Sequence, residues 1–211
     1  MDFKNGAELL ALCEKHQCPI SEIMRQREAE LSETTPDDIE TRMKKAWAIM
    51  QESALTPISS PRKSIGGLIG GEARLLSEHR NSGAAICGNV LSRAITYACA
   101  VLEVNTSMGL IVAAPTAGSS GIVPGLLLAL REEYHIADEK IIDALFNAGA
   151  VGYLAMRNAT VAGAVGGCQA ETGVAAAMAA SAGGGLMGGS PAQCLFAAST
   201  GLMNMLGLVC G

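Results

Sequence analysis

Aromatic side chains are scarce in this sequence, and their scarcity limits the kind of core it can build. They make up 3% of the 211 residues, whereas 49% of the residues are hydrophobic and 25 are glycine. A hydrophobic share this high is far above that of disordered chains, so we expect one folded domain with room for a small appendage. The core must consist of small and aliphatic side chains, and helices should therefore approach one another closely.

Basic clusters and long apolar runs are also missing, which disfavours two classes of partner. The formal net charge is -5 and the one basic cluster is Arg62-Lys63, so nucleic acid binding is not expected. Residues 144–211 contain only two charged side chains, Arg157 and Glu171. Glycine and proline nevertheless interrupt each apolar run before it reaches the length of about 20 residues that a membrane span requires. We expect no membrane association, and a fragment of a transporter with broken helices remains an alternative.

We expect no secretory leader, because Met1 to Asn5 contain no apolar segment. The seven cysteines are therefore expected in the reducing cytoplasm, as thiols or as metal ligands. Those that lie within apolar stretches should be buried and inert: Cys87, Cys99 and Cys194. Cys13 and Cys18 flank His16 with a spacing that suggests a metal site, but no further ligands lie nearby. We interpret this pair as structural.

Strand patterns are absent as well, and β-branched residues are sparse, so the predicted class is all-α. We expect a compact bundle of small-residue-rich helices joined by glycine-rich turns. Asn5 and Pro19 should begin two short helices. Thr35-Pro36-Asp37-Asp38 begins a third, which should end before Pro57. Further helices are predicted at 72–80, 89–104, 122–135, 138–156, 169–182 and 191–209.

Residues 56–71 are rich in proline, serine and glycine, and we interpret them as a boundary. They separate a charged helical N-terminal arm, residues 1–60, from a core, residues 61–211. Within the core, apolar residues at helical spacing should be buried: Val174, Met178, Leu202 and Leu206.

Three glycine-rich segments interrupt the helices and are candidate binding loops: 115–121, 163–171 and 207–211. Glycine lets backbone amides approach an anion or a metal cluster, although close helix packing explains such glycines equally well. Cys168 lies directly before a predicted helix, where the N-terminal dipole favours a thiolate. Cys210 follows an apolar helix in the third segment.

Side chains for acid–base chemistry are harder to identify. Arg157 and Glu171 would need a partner if they were buried, which makes each a site candidate. The histidines lie outside the glycine-rich turns and are all expected at the surface: His16, His79 and His135. The sequence therefore identifies no catalytic base.

Several of these segments together resemble a known family. Gly-Ala-Val-Gly-Gly-Cys168-Gln-Ala-Glu-Thr-Gly resembles the sequence around the first cluster cysteine of iron–sulfur-dependent L-serine dehydratases, and Leu-Gly-Leu-Val-Cys210 resembles their second. Further segments follow the same family in the same order: 114–124, 147–152, 178–183 and 186–191. The resemblance covers residues 60–211 closely and the N-terminal arm more loosely. In the family an aspartate follows the second cysteine and a third cysteine lies beyond it, whereas Gly211 ends this sequence, so we expect an alpha subunit truncated at its C-terminus.

The resemblance implies an activity and a cofactor. The family removes water from L-serine by β-elimination and yields pyruvate and ammonia, a step of amino-acid degradation that feeds gluconeogenesis. Three thiolates hold a [4Fe–4S] cluster, and the open iron acts as a Lewis acid on the hydroxyl. Cys168 and Cys210 would be two of these ligands, and the third is absent from this chain. Preference for serine over threonine is not determined.

The resemblance also implies partners, which are a beta subunit and further copies in an oligomer. The beta part could supply the base, and this chain alone is expected to be inactive. We place the substrate carboxylate on a nest of amides and hydroxyls in the first glycine-rich segment, formed by Thr116, Gly118, Ser119, Ser120 and Gly121. A non-catalytic helical oligomerisation module is the second alternative.

Overall fold

A computed structural model describes residues 1–83 and 85–207, and these residues confirm the all-α prediction. The described residues are 72% helical, and they contain ten helices and no strand. The helices are α1 Gly6–His16, α2 Ile20–Leu31, α3 Pro36–Ser59, α4 Glu72–Asn81, α5 Gly88–Thr106, α6 Ile122–Tyr134, α7 Asp138–Asn158, α8 Gly163–Gly166, α9 Cys168–Leu186 and α10 Pro191–Met205. In the described residues, no helix is both long enough and apolar enough to cross a membrane.

The chain forms two compact units. The first unit contains Met1–Lys45 and Asp138–Gly211, and the second contains Ala46–Ala137. Helix α3 begins in the first unit and ends in the second. The predicted division assigns the catalytic machinery to the core (61–211) and not to the N-terminal arm (1–60). This assignment stays a prediction.

The first unit is built on contact between α9 and its neighbours α7 and α10. A Cβ atom added at Gly201 of α10 would lie 3.0 Å from the carbonyl oxygen of Ala176 in α9, so the two helix backbones touch there. Between α7 and α9 a buried polar pair forms, in which the Ser181 hydroxyl donates to Asn147 Oδ1 at 2.6 Å. Asn147 Nδ2 donates in turn to the Ser181 carbonyl at 3.3 Å. Both polar side chains are thereby satisfied inside an apolar interface.

The N-terminal residues of the first unit are held by aromatic and charged side chains. Phe3 is fully buried, and its ring meets that of Tyr153 edge to face, with centroids 5.3 Å apart. The Arg27 guanidinium lies 3.7 Å from the Tyr153 ring centre and bonds Asp2 at 3.0 Å. The hydrogen bond from Arg27 lowers the pKa of the Asp2 carboxyl, and desolvation opposes this shift in part.

The second unit is arranged around α5, which packs against α4 and α6. A Cβ atom added at Gly125 would lie 2.7 Å from the Ala94 carbonyl oxygen, so α6 lies directly on the α5 backbone. Glu103 of α5 is 0% exposed. Its carboxylate accepts hydrogen bonds from the amides of Ala73 at 2.8 Å and Arg62 at 3.4 Å. Because Ala73 lies in the first turn of α4, the positive end of that helix offsets the buried negative charge.

The structure corrects three predicted helix ends, and one of them is that of α10, which ends at Met205 and not at 209. Helix α3 continues through Pro57 to Ser59, because Arg74 donates to the carbonyl of Ile58 at 3.2 Å and to that of Ser59. Those bonds satisfy carbonyls that would otherwise favour termination. Helix α9 continues through the glycines at 183–185 to Leu186. A Cβ atom at Gly184 would lie in ordinary contact with Ala197 of α10, at 3.6 Å, and one at Gly185 would lie 3.0 Å from Asn147 Nδ2 of α7.

Burial was predicted correctly for Val174 and Met178 and wrongly for two other leucines. Leu202 is 37% exposed and Leu206 is 62% exposed. Helix α10 faces α9 with its small residues, of which Cys194 and Ala198 are buried. The larger Leu202 therefore lies at the edge of the contact with α9, and Leu206 lies beyond the end of α10. The predicted burial of three cysteines holds for Cys194 alone, because Cys87 is exposed and Cys99 is half-buried.

We predict that Asn147→Ala destabilises the first unit by about 1–3 kcal/mol, because the Ser181 hydroxyl is left buried without an acceptor. Urea unfolding, followed by the helical circular dichroism signal, measures the change. Asn204→Ala on the exposed side of α10 is the matched control and should change stability by less than about 0.5 kcal/mol. Equal effects of the two substitutions would show that the buried pair contributes nothing.

Candidate functional site

Cys168 is the first residue of α9 and is exposed. The preceding Gly167 has φ 75° and ψ 172°, a conformation that side chains rarely adopt, and it turns the chain sharply into the helix. The predicted position of Cys168 at a helix N-terminus is therefore confirmed. The dipole of α9 favours a thiolate or another anion at this point.

The loop before α9 is packed tightly against the first turn of that helix. A Cβ atom at Gly163 would lie 2.8 Å from Glu171 Oε2, so a larger side chain at this position would require the Glu171 side chain to move. Within the turn, the Thr172 hydroxyl donates to the Cys168 carbonyl at 2.8 Å. The loop and the turn together fix the backbone around Cys168.

Gln169 connects the start of α9 to the last described residues. Its Oε1 atom accepts a hydrogen bond from the amide of Gly207 at 3.1 Å. The segment after α10 therefore returns to the turn that carries Cys168. Cys210, the second predicted ligand, lies outside the described residues.

An iron–sulfur cluster needs several cysteine thiolates close together, and Cys168 is the candidate in the described residues. Within residues 1–83 and 85–207, no three His, Cys, Asp or Glu side chains lie close enough to hold a metal ion. The described residues therefore contribute one suitable thiol, on a glycine-flanked helix N-terminus that a cluster could approach. One thiol does not hold a cluster, so the described part alone is an incomplete site.

Arg157 and Glu171 do not meet the condition that made them site candidates. Arg157 is exposed and donates to the Tyr153 hydroxyl at 2.9 Å. Glu171 is half-buried beside Gly163. The histidines are exposed as predicted: His16, His79 and His135.

The second candidate element is the loop that leads into α6, which belongs to the second unit. The Ser120 hydroxyl donates to the Ala117 carbonyl at 2.7 Å. The Ser119 hydroxyl lies 3.1 Å from that of Thr116 and donates to the Ala114 carbonyl at 3.3 Å. Both serines are buried. Their hydroxyls therefore stabilise the loop from inside and do not face solvent.

The outer side of this loop is formed by Ala117 and Gly118, which are exposed. In the part of the chain that the structure describes, their amides donate to no acceptor. Asn105 of α5 donates to the Ala117 carbonyl at 3.1 Å and so holds the turn against α5. Free amides on a fixed turn are the property that an anion nest needs.

Sequence reasoning missed the contributions of Gln169 and Asn105. Both are amide side chains next to a glycine-rich segment. An amide can donate to and accept from exposed backbone groups, so an amide side chain at such a position indicates a contact with the loop. The sequence gives no information on which backbone group each of them meets.

A comparison with protein-family models finds one match, to the family described as serine dehydratase alpha chain, over residues 15–211. Similar proteins include "Probable L-serine dehydratase, alpha chain" of Bacillus subtilis, 42% identical over 99% of this chain and 69% of that protein. "L-serine dehydratase, alpha chain" of Peptoniphilus asaccharolyticus is 39% identical over 99% of this chain and 71% of its own length. "L-serine dehydratase" of Helicobacter pylori is 35% identical, with 99% of this chain matching 47% of that longer protein.

We predict that Gly121→Ala destabilises the second unit by about 1–3 kcal/mol, because the new methyl group would lie 2.6 Å from the Ala98 carbonyl oxygen. Gly66→Ala is the matched control, since nothing lies within 4 Å of a Cβ atom at that position. Urea unfolding of both variants measures the difference. If Gly121→Ala were as stable as the control, the loop before α6 would not be fixed by its contact with α5.

Proposed function

Because the chain belongs to the serine dehydratase alpha chain family, we propose that it is the alpha subunit of an L-serine dehydratase. The reaction is the elimination of water from L-serine, which gives pyruvate and ammonia. The enzyme is a lyase, and we assign it to the cytoplasm, where its cysteines remain reduced. The structural observation that supports this proposal most directly is the hydrogen bond between Gly207 and Gln169.

That hydrogen bond supports the assignment of Cys168 and Cys210 as cluster ligands. It holds residue 207 at the turn in which Cys168 lies. Three residues span at most about 11 Å, so the chain from Gly207 can bring Cys210 to the same turn. When bound, a [4Fe–4S] cluster supplies an iron that assists loss of the substrate hydroxyl as a Lewis acid.

We assign the substrate carboxylate to the loop before α6, with a division of roles among the predicted residues. The amides of Ala117 and Gly118 are available to an anion, and the half-buried hydroxyl of Thr116, 3.1 Å from that of Ser119, can turn its proton from Ser119 to the anion. Ser119 and Ser120 stabilise the loop through its carbonyls. Gly121 lets the loop lie against α5. This arrangement orients the substrate through backbone donors, which need no rearrangement when the anion binds.

A beta chain is the proposed protein partner, and an exposed apolar stripe on α5 supports it. Leu91, Ile95 and Leu102 lie on the side of α5 opposite its buried residues, and all three are exposed. Exposed apolar groups at helical spacing are typical of a surface that another protein covers.

The first test of the proposal is Cys168→Ala in the alpha chain that carries the family's third cysteine, co-purified with its beta chain under anaerobic conditions. We expect pyruvate formation from L-serine to fall at least about 100-fold, because Lewis-acid stabilisation contributes several kcal/mol. Bound iron, measured by chemical analysis, should fall as well. Cys87→Ala, which removes another exposed cysteine, should retain both properties. A Cys168→Ala enzyme that keeps its iron and its turnover would refute the ligand assignment.

The second test is Thr116→Val, which removes the hydroxyl and keeps the shape of the side chain. We expect KM for L-serine to rise about tenfold with a smaller change in kcat, because a hydrogen bond to a charged carboxylate is worth about 1.5–3 kcal/mol. Thr200→Val is the control, since its hydroxyl bonds the Phe196 carbonyl within α10. An unchanged KM in Thr116→Val would remove Thr116 from the substrate site.

A further inference from the structure

The C-terminal end of α1 brings Cys13 and Cys18 together. The Cys18 amide donates to the Cys13 carbonyl at 3.2 Å. Between them, Gln17 has φ 51° and ψ 44°, and its amide also donates to the Cys13 carbonyl. A left-handed residue and this pair of bonds define a Schellman-type helix end. In this motif the two residues joined by the longer bond are frequently in side-chain contact.

The geometry of this helix end is compatible with a disulfide. With a hydrogen bond of 3.2 Å between Cys18 N and Cys13 O, standard bond lengths limit the Cα–Cα separation to at most about 7 Å. Disulfides need a separation of about 4.4–6.8 Å. The two thiols are also close enough to influence each other's ionisation, because a charge on Cys18 contributes to the raised pKa of Cys13 after the larger effect of burial.

Both cysteines line a cavity of about 440 Å³ in the first unit, together with Leu10, Gln17 and Ser190. Cys18 is half-buried in its wall, and Cys13 is buried behind it. A small-molecule reagent entering the cavity therefore reaches Cys18 first. Cys194 also lies near Cys13, but its thiol donates to the Gly189 carbonyl at 3.7 Å and is buried.

We propose that Cys13 and Cys18 form a redox-active dithiol site that a low-molecular-weight disulfide, such as glutathione disulfide, oxidises to an intramolecular disulfide. The Cys18 thiolate attacks the reagent, forms a mixed disulfide and releases one thiolate of the reagent. The Cys13 thiolate then attacks the Cys18 sulfur, closes the protein disulfide and releases the second. Each cysteine loses one proton, the protein loses two electrons, and the reagent is reduced to two thiols.

The surroundings of the two thiols make the reaction dependent on pH. Burial raises the pKa of Cys13 to about 11, with smaller effects of Cys18, Cys194 and Glu14. Burial also raises the pKa of Cys18, and Glu22 adds to this shift. Because the thiolate is the reactive form, oxidation should accelerate about tenfold per pH unit from pH 7 to pH 8.

Peptide mapping of the complete chain tests the proposal. Trypsin cleaves after Lys15, which separates the peptide 5–15 with Cys13 from the peptide 16–25 with Cys18. After treatment with glutathione disulfide and alkylation of the remaining thiols, we expect these two peptides joined, two hydrogen atoms lighter than their sum. A reductant should separate them again. Exposed Cys87 reports that the reagent is active.

Three variants distinguish this pairing from its alternatives. In Cys13→Ser the reaction should stop at a stable mixed disulfide on Cys18, and in Cys18→Ser the Cys13 thiol should stay free. Cys194→Ser should still give the joined peptides. The proposal is overturned if Cys13 pairs with Cys194, if the wild-type chain retains glutathione on Cys18, or if both thiols stay unmodified while Cys87 reacts.

Discussion

Direct contact between helix backbones is the constraint on which the rest of this structure depends. With so few aromatic residues, α9 and α10 in one unit and α5 and α6 in the other approach closely. A carbonyl oxygen lies 3.0 Å from where a Cβ atom would be at Gly201, and 2.7 Å from that position at Gly125. Each contact is worth little, and the stability arises from many atoms in dispersion contact over the full helix length. A methyl group added at such a point therefore costs more than its size suggests, because the whole helix must move.

Helix ends were predictable where the capping signal lies in adjacent residues of the chain. Asn5 accepts the Glu8 amide at 2.9 Å, and Ser190 with Gln193 forms a reciprocal cap before Pro191. These signals act within one turn, so the sequence is sufficient to find them. Pro57 shows the limit, because the donor that extends α3 past it is Arg74, from another helix. Leu202 is similar, since its exposure depends on which face of α10 the distant α9 occupies.

The candidate site was predictable in its location but not in its division of roles. The motif placed Cys168 at a helix start because glycine before a helical segment of small apolar residues acts locally. Ser119 and Ser120 had the composition of an anion nest, but a hydroxyl that can bind a ligand can equally bind its own loop. The structure shows the second arrangement. Only the positions of the Ala114 and Ala117 carbonyls decide between these uses, and composition does not encode them.

The two cysteines at the end of α1 show the same limit of what sequence spacing predicts. A spacing of four residues between Cys13 and Cys18 is equally consistent with a metal site, with inert packing and with a redox pair. The residue that decides among them is Gln17, whose left-handed conformation reverses the chain and turns both thiols toward one cavity. The conformation of a single non-reactive residue therefore sets the chemistry open to its neighbours. Sequence spacing becomes informative about thiol chemistry only once the helix end between the thiols is known.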